Sequence, residues 1–398
     1  MTLLRRRLAS IDAFRAITML LMVFVNDLIL DERVPAWLEH AEEGQDRLGL
    51  ADTVFPAFLF IVGLSIPLAI RFGHEKGMSR RDTFWHILRR GFALLIMGVF
   101  IVNYEEYTTG PALISRWWWM LLMTIAFFFV WLVYPANWSV GRKTLFRIFG
   151  IGTLVALALV YKGGTAAHPT WMKTHWYGIL GLIGWVYLVC AMLYFYIGDR
   201  LPVLGICFLF FLGMSIAWNM SSLRAVMHSL PHFWFMDSGG LCAFAMAGIM
   251  VTVYHRRAVG SAKVMQNLFR LVVWVPFLLA AGFALRPIGG IAKLDVTPSW
   301  ILICTAIGIG AFVLLAVVVD IRGREKWYRL IRPAGTITLT CYLLPYIHFA
   351  LLHILGEQAR LPLFMRSGGI GVLKSFVFAF LVVLLTGVLE RKKIRLSV

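Results

Sequence analysis

The chain has 398 residues and a formal net charge of +18, with 60% hydrophobic residues and only 15% charged ones. A soluble domain carries roughly 25% charged residues and has fewer unbroken apolar runs. The composition therefore excludes an ordinary soluble domain and predicts the all-α class, as a polytopic helical membrane protein.

Twelve apolar runs approach or reach the length of a membrane helix, which needs about 20 mainly apolar residues. They are 11–30, 51–70, 85–104, 117–136, 145–161, 176–197, 201–218, 238–254, 268–285, 299–319, 334–355 and 368–389. No loop exceeds about twenty residues, whereas an independent domain usually has about 50 or more. We therefore predict twelve transmembrane helices in one domain, residues 1–398. The first run follows residues 1–7 without a small-residue cleavage site, which predicts a retained helix.

Basic residues concentrate in alternate loops. If the N-terminus is cytoplasmic, the basic clusters at residues 5–7, 71–90, 142–147, 256–270, 322–332 and 391–395 all lie on the cytoplasmic side. Cytoplasmic loops of membrane proteins carry an excess of Lys and Arg. Both termini are therefore predicted to be cytoplasmic. The basic charge indicates topology and gives no support for nucleic-acid binding.

Disulfide and metal chemistry have little support in the sequence. The five cysteines lie within apolar runs and show no paired spacing, so we interpret them as packing residues. His228 and His232 are four residues apart, a spacing compatible with one helical face, but no third ligand accompanies them. No metal is predicted.

The first span carries polar residues, which are costly in a membrane and often functional. Asp12 and Arg15 are three residues apart near its cytoplasmic end, either as a simple pair or as a contact for an anionic ligand. Asn26 and Asp27 lie at its outer end. Asn26 either bonds a neighbouring helix or orients a carbonyl or an imidazole.

The outward loop that follows, residues 31–50, combines one histidine with six carboxylates. His40 can take or give a proton near neutral pH, which makes it a candidate for chemistry, although an isolated loop histidine is usually ordinary. Asp52 opens the second span and is either its N-terminal cap or part of a substrate site.

Three stretches strongly resemble the heparan-alpha-glucosaminide N-acetyltransferase family and its bacterial relatives. They are RLASIDAFR at 7–15, MVFVN at 22–26 and LADTVFPAFLFIVGLSI at 50–66, with weaker similarity at 178–181, 297–300 and 333–342. In that family an Asn at the end of the first helix and a His in the following outward loop form the active pair. The resemblance therefore implies that Asn26 and His40 are the catalytic residues.

The resemblance also implies acetyl-CoA as the co-substrate and an amino sugar as the acceptor. Basic side chains at the cytoplasmic ends of the first three spans are expected to meet the phosphates of CoA. These expected cofactor contacts are Arg15, Arg71, Arg89 and Arg90, with Asp12 beside Arg15. Asp27 and Asp52 are expected at the sugar site.

The expected function is transfer of an acetyl group from cytosolic acetyl-CoA to an extracytoplasmic amino sugar such as glucosamine, by N- or O-acetylation. His40 would remove a proton from the acceptor or carry the acetyl group itself, while Asn26 would stabilise the thioester oxygen. A transporter for N-acetylglucosamine or a related sugar is the alternative, although the internal repeat common in transporters is not visible. A non-catalytic sugar sensor has no feature in its favour.

The resemblance further implies a multi-pass protein of the bacterial inner membrane. Its expected partners are acetyl-CoA, the amino sugar and the lipid bilayer, and homodimerisation is left open.

Overall fold

The computed structural model describes residues 8–29, 31, 33–107, 112–165, 168–223, 226, 238–257, 263–356 and 362–398. These residues form twelve long helices: α1 (Ala9–Leu28), α2 (Leu50–Glu75), α3 (Arg80–Glu105), α4 (Arg116–Trp131), α5 (Val140–Val160), α6 (Gly178–Ile197), α7 (Leu201–Asn219), α8 (Gly240–Arg256), α9 (Val264–Ala284), α10 (Pro298–Leu315), α11 (Thr338–Ile354) and α12 (Gly368–Arg391). A π-helical turn, Ala316–Ile321, continues α10.

Shorter elements connect the long helices. The strands β1 (Gly163–Gly164) and β2 (Pro169–Thr170) form an antiparallel ribbon after α5. Three short helices, Lys326–Tyr328, Arg332–Thr336 and Leu363–Arg366, lie on either side of α11.

The predicted all-α membrane fold is confirmed. Among the described residues, nine helices are long and apolar enough to cross a membrane, and the shorter apolar helices α4, α8 and α11 accompany them. Each of the twelve predicted spans overlaps one of these helices. A helix satisfies its own backbone hydrogen bonds, which a span inside hydrocarbon must do. The last residue of the first predicted span, Leu30, lies outside the described residues.

Two predicted boundaries differ from the observed ones. Helix α4 ends at Trp131, before the predicted end at 136, because the next backbone groups pair with the C-terminal segment. The Val133 N–H donates to the Arg395 carbonyl at 2.9 Å, and the Ser397 N–H donates to the Trp131 carbonyl at 3.0 Å. The predicted span 334–355 is divided at Ile337, whose backbone leaves helical geometry at φ −124° and ψ 52°.

Contacts between helix ends fall into two sets, as expected when successive helices run in opposite directions. At one face, the Ser10 N–H at the start of α1 donates to Asp320 at the end of α10 at 3.1 Å. At the other face, Asp31 beyond the end of α1 contacts Lys374 near the start of α12 at 2.7 Å. This alternation agrees with the predicted topology, and the assignment of one face as cytoplasmic stays a prediction.

Helix α2, which starts at the candidate site, is seated by close packing against α8. A Cβ atom added at Gly63 would overlap the Ala245 carbonyl oxygen, and one added at Gly248 would overlap that of Phe60. Small residues allow membrane helices to approach this closely. The contact fixes the position of α2 in the bundle. The loop that precedes α2 ends at the first turn of this helix.

Candidate active site

The loop between α1 and α2 brings His40 against the first turn of α2. The Nδ1 atom of His40 lies 2.7 Å from Asp52 Oδ1, and the two side chains are 29% and 1% exposed. An ionised carboxylate can only accept hydrogen bonds, so we infer that Nδ1 carries a hydrogen and donates it. The lone pair is then on Nε2, which has no hydrogen-bond partner within the described part of the chain.

Asp52 is surrounded by donors. Its Oδ2 atom accepts from the Ala41 N–H at 3.0 Å and from the Gly49 N–H at 3.1 Å. Its backbone carbonyl accepts from Trp300 Nε1 at 3.1 Å. Asp52 therefore caps the start of α2, as one interpretation of the sequence expected, and orients His40 as well. This buried, bonded carboxylate is better placed to position the histidine than to contact a substrate.

A lysine from the loop between α9 and α10 joins this pair. The Nζ atom of Lys293 lies 3.1 Å from His40 Nδ1. Because Nδ1 donates its hydrogen to Asp52, an ammonium at Lys293 contacts this nitrogen without donating a hydrogen bond to it. Burial lowers the pKa of the Lys293 ammonium, and the negative charge of Asp52 acts in the opposite direction. The group of Asp52, His40 and Lys293, which we call the histidine cluster, therefore holds one carboxylate, one imidazole and one amine within contact distance.

The loop around His40 is attached to the same α9–α10 loop by Asp46. Its Oδ1 atom accepts from the Ile291 N–H and its Oδ2 atom from Arg286 Nε, both at 2.8 Å. These bonds, from Ile291 first and Arg286 second, hold the pKa of the Asp46 carboxyl below its usual value. Arg47 also donates to the His40 carbonyl at 2.9 Å. The position of His40 is thus set by two loops together.

Asn26 and Asp27 are neighbours in sequence but have different surroundings. The Asn26 side chain is exposed near the C-terminal end of α1, and no hydrogen bond joins it to His40 among the described residues. Asp27 is 5% exposed. It lies 2.9 Å from Lys374 Nζ and accepts a 2.7 Å hydrogen bond from Ser375.

Asp31 contacts the same two residues of α12. Its carboxylate lies 2.7 Å from Lys374 Nζ and 2.9 Å from Ser375 Oγ. A hydroxyl has one hydrogen to donate, so Ser375 can bond only one carboxylate at a time. We call Asp27, Asp31, Lys374 and Ser375 the lysine cluster. Asp27, expected at the sugar site, has an ion pair within the protein.

Most of the residues expected at the CoA site contact other side chains or backbone groups of this chain. Arg15 donates to Ser65 Oγ at 2.8 Å and to the Gly335 carbonyl at 3.1 Å, and its Nη1 atom lies 3.2 Å from Asp12. The other basic residues lie on α2 and α3. Arg71 pairs with Glu75, Arg90 lies over the ring of Tyr187, and Arg89 is exposed. Their roles in binding CoA stay predictions.

Sequence reasoning had no means of assigning Lys293 to the site. It is separated from His40 by 253 residues, and its outward loop offers no motif. The only available signal was a basic residue in a loop of the predicted outer face. Among the described residues, no group of three or more His, Cys, Asp or Glu side chains could hold a metal. His228 and His232 lie outside those residues.

Comparison with known proteins places this chain in a family. Residues 7–235, more than half of the chain, match the model of a family described as a domain of unknown function, DUF5009. The chain belongs to this family. The matched region contains α1, α2 and the loop that carries His40.

Two curated proteins are similar over a shorter region. Over 105 residues the chain is 39% identical to heparan-alpha-glucosaminide N-acetyltransferase of Homo sapiens and 37% identical to that of Mus musculus. Each alignment covers 26% of this chain, and the chain spans 15% of the length of each relative. The predicted relationship to the heparan-alpha-glucosaminide N-acetyltransferase family is thereby confirmed.

Proposed function

We propose that this membrane protein transfers an acetyl group from acetyl-CoA on the cytoplasmic face to an amino sugar on the opposite face. The observation that carries the proposal is the short contact between His40 Nδ1 and Asp52. A carboxylate behind a histidine selects one tautomer and stabilises the protonated ring that forms during catalysis. The similarity to an acetyltransferase supports acetyl transfer as the reaction in which His40 and Asp52 take part.

The chemistry requires a base because an amino sugar is protonated in water and is then not a nucleophile. The Nε2 atom of His40 would accept a proton from the attacking amine, a role that typically contributes 10²–10⁴-fold. The new C–N bond forms as the thioester C–S bond breaks, and CoA leaves as its thiolate. The transfer of the acetyl group through His40 Nε2 itself is the other route, with the imidazole as nucleophile.

Asn26 is proposed to stabilise the negative charge on the thioester oxygen. Its exposed amide at the end of α1 can donate two hydrogen bonds. A positioned donor of this kind contributes about 10²–10³-fold to the rate. Asn26 and His40 would each contact the same thioester, and no hydrogen bond joins the two side chains directly among the described residues.

The positions of Arg15 and Asn26 on α1 favour a long donor molecule. They are eleven residues apart, or about 16 Å along a helix with a rise of 1.5 Å per residue. Acetyl-CoA would span this distance if its phosphates met basic residues at the cytoplasmic face and its thioester lay near Asn26. Arg15 already bonds Ser65 and Gly335, so a phosphate contact there would replace or share those bonds.

The test is an assay of purified protein with acetyl-CoA and glucosamine, which measures free CoA and acetylated sugar together. His40→Ala should reduce both products by at least about 10²-fold. His168→Ala is the matched control, because His168 is an exposed histidine of another outward loop. Thermal unfolding of each variant establishes that the protein remains folded.

The route through His40 is tested with acetyl-CoA alone. Transfer through an acetylated imidazole predicts one equivalent of CoA released in a burst when no sugar is present. Direct transfer predicts no burst. If His40→Ala and the parent release CoA at the same rate, the proposed mechanism is wrong. Uptake of labelled N-acetylglucosamine into vesicles without CoA release would favour the transporter.

A further inference from the structure

A cavity of about 560 Å³ lies far from the histidine cluster, on the face predicted to be cytoplasmic. It is formed by the segment before α11 and the last two turns of α12. Its lining includes three arginines, Arg329, Arg332 and Arg391, and one acid, Glu390. Glu390 already accepts a hydrogen bond from Thr336 at 2.6 Å. The cavity therefore has an excess of positive charge.

The three arginines are available to an external anion. All three are exposed. Within the described residues, no ion pair joins Arg329, Arg332 or Arg391 to a carboxylate. Guanidinium groups bind phosphate through paired hydrogen bonds. Three of them around one cavity form a suitable site for a phosphate group.

The remainder of the lining is apolar and includes exposed side chains. Leu330 is 64% exposed, Val388 is 45% exposed and Leu384 is 38% exposed. Exposed apolar side chains continue from the cavity along one face of α12 at helical spacing: Leu373, Val377, Leu381, Leu384 and Val388. A ligand in this cavity can place its phosphate among the arginines and an apolar chain along this stripe.

We propose that the cavity binds the headgroup phosphate of an anionic phospholipid from the cytoplasmic leaflet. Basic pockets between membrane helices at this face suit such headgroups. The apolar stripe on α12 favours a lipid over a soluble phosphate, because the stripe leads from the cavity toward the middle of the membrane. A second cavity of about 620 Å³, whose lining includes Arg324, Lys326 and Trp327, adds positive charge to the face predicted to be cytoplasmic.

The experiment measures lipid binding by the full chain in nanodiscs. Discs of phosphatidylcholine alone are compared with discs that also contain phosphatidylglycerol, by thermal unfolding and by native mass spectrometry of retained lipid. Phosphatidylglycerol should raise the Tm of the parent protein and remain bound to it. Each arginine replaced should weaken this binding by about fivefold.

Three variants separate the proposal from general charge effects. Arg329→Gln, Arg332→Gln and Arg391→Gln combined should abolish both the Tm increase and the retained lipid. The same three positions changed to Lys should keep part of the effect and show that the fold tolerates substitution. Lys76→Gln, Arg81→Gln and Arg322→Gln combined are the matched control, since these exposed residues belong to the face predicted to be cytoplasmic and line neither cavity.

The same measurements are repeated with soluble coenzyme A, because it also carries phosphates. Retention of phosphatidylglycerol that depends on the three arginines, but not on the control residues, supports the proposal. Equal loss in the control would indicate general attraction to the membrane and would overturn it. Stabilisation by coenzyme A that requires the three arginines, without an effect of phosphatidylglycerol, would also overturn the lipid assignment.

Discussion

The two ionic clusters at the face predicted to be outside use similar residues and differ in what they leave accessible. The histidine cluster joins Asp52 and Lys293 around a ring that is 29% exposed. The lysine cluster joins two carboxylates to Lys374, whose side chain is 17% exposed. The first includes an accessible imidazole whose Nε2 atom has no hydrogen-bond partner among the described residues, and the second includes no histidine.

Both clusters hold the same loop, from opposite ends. The lysine cluster attaches its start to α12, and the histidine cluster attaches its end to α2 and to the α9–α10 loop. Removal of one partner from a buried ion pair strongly destabilises the folded protein, because the other charge is left buried and unpaired. We infer that the lysine cluster serves mainly stability and the histidine cluster serves mainly chemistry. The predictions below test this division, from the largest expected effect to the smallest.

The largest effect is expected for Asp52→Asn. An amide can no longer select the Nδ1–H tautomer of His40, and the equivalent change behind a catalytic histidine lowers kcat by about 10⁴-fold. The acetyl-transfer assay measures the loss, with Asp295→Asn as control because Asp295 is an exposed acid of the α9–α10 loop. Activity within tenfold of the parent would show that His40 does not depend on Asp52.

The next effect is on stability, through Lys374→Met. This change leaves Asp27 and Asp31 without their cation, and the removal of one partner from a buried ion pair costs about 3–5 kcal/mol. Thermal and denaturant unfolding should show the loss, whereas Lys392→Met on the surface should not. Additional Asp27→Asn and Asp31→Asn changes should restore most of the stability. A stable Lys374→Met protein would contradict the assigned role.

Some features of the fold and of the candidate site could be predicted from the sequence. Apolar runs predicted all twelve helices, because a run of that length in a membrane must form its hydrogen bonds within itself. Asn26 and His40 were chosen as candidates because the family resemblance implies an Asn at the end of the first helix and a His in the following loop, and their catalytic roles stay predictions. Helix α4 was predicted too long because its end depends on Arg395 and Ser397, which are distant in sequence.

The partners within each cluster were beyond sequence reasoning for the same reason. Lys374 lies 343 residues from Asp31, and Lys293 lies 253 residues from His40. Such pairs follow from the packing of several helices, and each lysine alone looks like an ordinary basic residue. Asp52 was recognised as a cap or a site residue, but its bond to His40 depends on how the loop folds back.

A smaller loss of activity is expected for Asn26→Ala. If Asn26 donates to the developing oxyanion, kcat falls by about 10²–10³-fold, while the Tm stays unchanged because the side chain is exposed. Asn103→Ala is the contrasting variant. The buried Asn103 side chain bonds the Val99 and Lys173 backbone, so its loss should lower the Tm. A lower Tm for Asn26→Ala would favour a structural role.

The smallest effect is expected for Lys293→Met, and its sign depends on pH. Burial lowers the pKa of Lys293, so the folded protein binds this proton less tightly than the unfolded chain. The buried charge therefore costs stability below the lowered pKa, and the cost disappears as pH rises toward the unfolded value of about 10.4. Lys293→Met should unfold at a higher temperature than the parent at neutral pH, and the difference should shrink at alkaline pH. The measurement is the Tm of both proteins across that range, with Lys392→Met as the surface control. A variant that is less stable at neutral pH would show that the attraction between Lys293 and Asp52 outweighs the cost of burial, and the histidine cluster would then contribute to stability as the lysine cluster does.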